Sequence, residues 1–236
     1  MRNTMTIARR EFAAYFNSPI AYIIIVVFLL ISGYMFFTEL FLSAQADMRP
    51  FFGLAPLLFC IFWPLVTMRL FSEERQQGTL EMLLALPVTD WEVVLGKFLA
   101  SVGLVSVALL LTVPWAIFVK AYGPLDAGPA IGGYLGLLLS AGAYLAIGLM
   151  ASAWTKNQVV AAIVGFCISF ALFLVGKLLQ VVPQGLVKYL QAISLDYHFQ
   201  SIARGVVDTR DVLYYFSLMA VALVITQASL ESRRWK

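Results

Sequence analysis

The residues able to do chemistry gather in two places. In the stretch 71–100, Glu73, Glu74, Arg75, Glu81, Asp90, Glu92 and Lys97 fall close together. In the stretch 183–211 stand Lys188, Asp196, His198, Arg204, Asp208, Arg210 and Asp211. Carboxylates beside a histidine are the raw material of general acid–base catalysis. Asp196, His198 and Asp208 therefore define one rival reading, an enzyme working in or at the surface of a membrane. Other chemistry finds no support. The chain has one histidine, and its two cysteines, Cys60 and Cys167, lie inside apolar runs, so no metal-ligand set can be assembled. There is no GxxxxGK[ST]: Gly96-Lys97 and Gly176-Lys177 lack the upstream glycine and continue with Phe and Leu. Neither GxSxG nor HExxH occurs. No catalytic residue, metal or cofactor is expected on this chain.

The elements that position both clusters are membrane spans. Of 236 residues 61% are hydrophobic and only 12% charged, against roughly 25% charged in an ordinary soluble domain. Apolar runs near 20 residues recur, which predicts an all-α polytopic protein with six transmembrane helices: 20–41, 50–70, 91–120, 131–154, 159–179 and 212–230. Pro56 and Pro64 predict a kink in span two, and Pro114 a bend at the far end of span three. Span three is too long for a hydrocarbon core of about 30 Å, so one end should project into water. Gly132 and Gly136 in span four permit close helix approach, either for packing within the chain or for a dimer face. Residues 1–18, with Arg2, Arg9, Arg10 and Glu11 among Ile7, Phe12, Tyr15 and Phe16, predict an amphipathic interfacial helix. Residues 183–210 are too polar to span and predict a short helical hairpin at the opposite surface.

The segment 72–88 joins spans two and three. Leu80, Leu83 and Leu84 keep helical spacing between Gly78 and Pro87, a short amphipathic helix. Thr89-Asp90-Trp91-Glu92 is a capping box that opens span three. Six spans put both termini on one side. That side carries Arg2, Arg9, Arg10, Arg69, Arg75, Lys97, Lys156, Arg233, Arg234 and Lys236, ten of the 16 basic residues, and the other side six. Positive charge inside makes it the cytoplasmic side. Glu39, Arg69 and Lys177 stand near span ends, where they can snorkel. No carboxylate sits mid-membrane, which argues against ion-coupled transport. No basic stripe suggests nucleic acid. A structured helix between two spans suits mechanical coupling to a soluble partner.

The run from Met68 to Glu81, MRLFSEERQQGTLE, followed by Leu86-Pro87-Val88-Thr89, resembles the signature of type-2 ABC transporter permeases. Asn17-Ser18-Pro19-Ile20-Ala21-Tyr22, Asn157-Gln158 and the run from Ser201 to Asp211, SIARGVVDTRD, are similar to the gliding-motility-type branch. The resemblance implies a permease in a bacterial cytoplasmic (inner) membrane, with both termini cytoplasmic. It implies a homodimer or heterodimer with a related permease, docked on two copies of a separate ATPase that binds ATP and Mg. A further membrane subunit with a large extracytoplasmic domain is implied by the branch. Carried over, Glu73, Glu74 and Arg75 would contact the ATPase, Gly78 and Thr79 would turn into the coupling helix, and Glu81, Leu83 and Leu86 would lie on that helix. Arg9, Glu11 and Lys156 would be secondary contacts. Asp196, His198, Arg204, Asp208 and Arg210 would form an extracytoplasmic gate. Glu73–Arg75 has a second reading, an internal salt-bridged cluster with the N-terminal helix.

Overall fold

The computed structural model describes residues 2–43, 45–79, 88–179 and 183–234. Eleven helices are described: α1 (Arg2–Asn17), α2 (Pro19–Ser43), α3 (Arg49–Thr67), α4 (Arg69–Gln77), α5 (Asp90–Leu110), α6 (Val113–Tyr122), α7 (Ala127–Trp154), α8 (Gln158–Leu178), α9 (Gln184–Ile193), α10 (Leu195–Ala203) and α11 (Thr209–Arg234). Six stretches are long and apolar enough to cross a membrane: α2, α3 with α4, α5 with α6, α7, α8 and α11. No strand occurs among the described residues. The protein is an all-α, multi-pass membrane protein.

The bundle is built around α7, which touches α3, α4, α5, α8, α10 and α11. Its run 140–153 is wholly buried. Small residues let neighbours approach its axis, the packing mode available where lipid tails are as apolar as the helices. A Cβ on Gly148 would stand 2.1 Å from Thr67 Oγ1 on α3, and one on Gly133 2.2 Å from the Phe52 ring. Gly132 and Gly136 face Ile202 and Phe199 of α10, so both serve packing inside this chain. Aromatic rings fill the α2–α3 seam, where Phe28 lies 5.5–6.1 Å from the rings of Phe59, Phe62 and Trp63.

Span two runs further than the apolar run implies. α3 and α4 are separated only at Met68, whose backbone stays right-handed helical. The junction is completed by α7: Ser152 Oγ accepts the N–H groups of Phe71 (3.0 Å) and Ser72 (3.1 Å) and donates to the Met68 carbonyl (2.9 Å). Span three divides at Leu111–Thr112, just before Pro114 in the first turn of α6. There Thr112 Oγ1 donates to the Leu109 carbonyl (2.7 Å), and the Tyr134 hydroxyl donates to the Thr112 carbonyl (3.0 Å). The capping box is present as read from the sequence: Thr89 Oγ1 accepts from the Glu92 N–H (3.3 Å), and Glu92 Oε2 accepts from the Thr89 N–H (3.2 Å). Thr89→Ala is expected to lower stability by about 1 kcal/mol, read as an earlier thermal midpoint in detergent, with Thr89→Ser close to the parent.

Candidate docking surface

α1 packs alongside the first turns of α5, the two helices running in the same direction. Asn3 donates to Glu92 (3.2 Å), Ile7 lies against Gly96 and Phe12 against Gly103. This follows from the sequence pattern: Ile7, Ala8, Phe12, Tyr15 and Phe16 make one apolar stripe, and Arg9 and Arg10 stand exposed on the other face. The amphipathic helix is thus held by protein along its apolar stripe. The Tyr15 hydroxyl donates to the Val66 carbonyl (3.3 Å) and lies 3.3 Å from Ser101 Oγ. Burial pushes that hydroxyl well above its ordinary pKa, keeping it a neutral donor.

At the centre of this surface is a charge to which the sequence pattern assigns no role in docking. Lys97 is 1% exposed, and its ammonium reaches Glu74 (2.7 Å) and Glu11 (3.1 Å). It also lies 5.4 Å from the centre of the Phe71 ring. One buried cation thereby ties α1, α4 and α5 together. Glu73 pairs along its own helix with Arg69 (2.8 Å), one turn earlier. Arg75 donates to the Ala153 carbonyl at the end of α7, and Ser229 Oγ of α11 donates to the same oxygen (3.4 Å). Gly78 ends α4 with φ of 73°, and its N–H returns to the Glu74 carbonyl. Thr79 Oγ1 donates to that carbonyl as well (3.3 Å).

The structure therefore sorts the residues assigned to docking. Glu74 and Glu11 join the internal charge cluster, with Lys97 as their shared cation, while Arg9 and Arg10 are exposed. Glu73 and Arg75 are half-buried, while Gly78, Thr79, Arg9 and Lys156 are exposed at the same end of the bundle. Glu81, Leu83 and Leu86 lie outside the described residues. The charge cluster takes up Glu74 and leaves Gly78 and Thr79 exposed at the end of α4.

The opposite end holds a separate polar group. α10 turns Leu195, Phe199 and Ile202 into the core against α7, so the polar hairpin is anchored by one apolar face. Asp196 accepts from Lys177 (3.0 Å) and Gln200 (2.9 Å). His198 Nδ1 lies 2.7 Å from Asp211 Oδ1, and its ring stacks on Tyr214 at 4.0 Å. Asp208 is exposed and caps the start of α11, accepting the Arg210 N–H (3.0 Å). Asp196, His198 and Asp208 thus have different partners among the described residues and do not form a hydrogen-bonded catalytic set. Arg204 and Arg210 are exposed. Asp211 and Lys177, the true partners, were legible only as further charges near span ends. Among the described residues no group of His, Cys, Asp and Glu has the arrangement to hold a metal ion.

No curated protein matches the chain. A family model described as "ABC-2 family transporter protein" matches residues 5–226, nearly the whole bundle from α1 to the middle of α11. The chain accordingly belongs to the ABC-2 transporter family and is a membrane permease subunit of an ABC transporter.

Proposed function

We propose that this permease docks a dimeric ABC ATPase at the end that carries both termini, and passes ATP-driven movement into its spans. Permeases of this family generally partner with an ABC ATPase. The observation that carries the reading is the Lys97 brace. Force applied to the segment 78–88 enters α4 directly, and α4 continues span two. Through Lys97 it also loads α1 and α5, and through Arg75 and Ser152 it loads α7. A rigid connection of this kind moves packed helices as bodies rather than dissipating in a loop.

In the full account ATP and Mg sit on the partner ATPase, the docking end faces the cytoplasm of a bacterium, and two permeases pair, identical or homologous. Export or force transmission follows as the ATPases close. Membership of the gliding-motility-type branch rests on Asn17–Tyr22, Asn157-Gln158 and above all the Ser201–Asp211 run, and it brings a further membrane subunit with a large extracytoplasmic domain. Asp196, His198, Arg204, Asp208 and Arg210 would then shape the outer mouth. The test is co-purification with the products of neighbouring genes. The parent should bring an ATPase in equal amount, and charge reversal at the exposed cations, Arg9→Glu with Lys156→Glu, should reduce the yield by about tenfold, as loss of roughly 1.4 kcal/mol would. Full retention of the ATPase by that variant would remove these two residues from the interface.

A further inference from the structure

We propose that the permease carries a headgroup site for an aminophospholipid, in the cleft between α1, the start of α2 and α4. The cleft has a volume of about 220 Å³. Ile20, Ile24 and Leu65 belong to its apolar lining, and Arg69, Glu73 and Glu74 to its charged lining.

Its depth matches a lipid headgroup. Ser18 is the junction between α1 and the first apolar span, and Arg69 is the residue at which the apolar part of span two gives way to charge. Arg69 Nη1 lies 3.5 Å from Ser18 Oγ, so both boundaries fall at one level. Ile20 and Leu65 are 37% and 36% exposed, and the apolar lining continues into Ile23 and Val27 on the outer face of α2. An acyl chain attached to a head in the cleft has an apolar exit toward the bilayer.

The charge selects the head. Three carboxylates, Glu11, Glu73 and Glu74, line the cleft with two cations, Arg69 and Lys97. Lys97 is committed to Glu74 Oε1 and Glu11, and two of Arg69's nitrogens to Glu73. Glu74 Oε2 is buried and has no hydrogen-bond partner among the described residues. A primary ammonium brings the donors that such an oxygen lacks. Arg69 Nη1, whose contact with Ser18 is long, is placed for the phosphate beside it. A quaternary ammonium has no N–H to give, and a glycerol head has no positive charge, so ethanolamine is the head that fits.

The experiment is native mass spectrometry of the detergent-purified permease, titrated with phosphatidylethanolamine, phosphatidylcholine and phosphatidylglycerol of identical acyl chains. Phosphatidylethanolamine should bind at least roughly tenfold more tightly than phosphatidylcholine. Glu74→Gln should narrow the ratio, but it also loosens Lys97. Ala14→Trp settles the matter separately. Ala14 lines the cleft and is exposed on α1, so the indole fills the cleft while every charged side chain is kept. Ala14→Trp should abolish the preference while the elution profile stays that of the parent. Equal binding of the three lipids, or a preference undiminished in Ala14→Trp, would overturn the proposal. The readout involves no ATPase and is independent of docking.

Discussion

Lys97→Met is expected to cost the permease about 3 kcal/mol, the usual scale for removing one partner of a buried charge pair. The methionine fills the space of the lysine stem, so the loss is electrostatic. Glu74 and Glu11 are left facing one another without their shared cation, at side-chain exposures of only 22% and 20%. The thermal midpoint in detergent should fall, and α1 should become sensitive to protease, because the charge cluster holds α1 to α4. The distinguishing variant is the neutral triad, Glu11→Gln, Glu74→Gln and Lys97→Met together. It should recover most of the lost stability, since replacing every member of a buried ionic group costs far less than orphaning some of them. It should not recover ATPase-coupled function if charge at Glu74 also bears on the partner. A triad as unstable as the single variant would mean that Lys97 acts by shape and not by charge.

The second large effect lies at Gly132. A Cβ there would stand 2.5 Å from the Ile202 carbonyl oxygen and 3.1 Å from Gly205 Cα. These are backbone atoms, so no rotamer change relieves the clash. Gly132→Ala should push α10 and the Gly205 turn away from α7, at about 1–3 kcal/mol. Gly205 has φ of 90°, which a side chain rarely adopts, and a Cβ added there would stand 3.1 Å from the Gly128 backbone carbon, so the turn has little freedom to follow. Gly53→Ala is the control. It sits exposed within α3 with nothing within 4 Å of the added methyl, and should be neutral or stabilising by up to about 1 kcal/mol. If Gly132→Ala were as silent as Gly53→Ala, the close packing of α10 on α7 would be contradicted.

Much of the architecture was legible in the sequence because local rules set it. Apolar run lengths located the six spans, Thr89 and Glu92 announced the start of α5, and Asn157 caps α8 by accepting the Val159 N–H (2.9 Å). The extent of span two was not legible. Ser72, Glu73, Glu74 and Arg75 look like the start of a loop, yet they are helical because Ser152, 80 residues on, completes the Met68 junction and Lys97 takes the Glu74 charge. Lys97 was visible as one charge of the cluster but not as its buried centre, since nothing local tells a lysine in the first turns of a span from one that snorkels. At the other end, spacing could list Asp196, His198, Asp208 and Asp211 but not pair them. Which carboxylate meets the histidine depends on how α10 folds against α11, a contact between segments that no local pattern encodes.

The central claim, that an ATPase docks at the end bearing Thr79, Arg9 and Lys156, is tested most directly by site-specific photo-crosslinking in intact cells. A photoreactive residue would be placed in turn at Thr79, Lys156, Arg204 and Arg210, all exposed, and adducts identified by mass spectrometry. The account predicts a nucleotide-binding ATPase captured from Thr79 and Lys156 and none from Arg204 or Arg210. ATPase capture from the Arg204 and Arg210 end, or none from Thr79 and Lys156 in cells that make the ATPase, would contradict it.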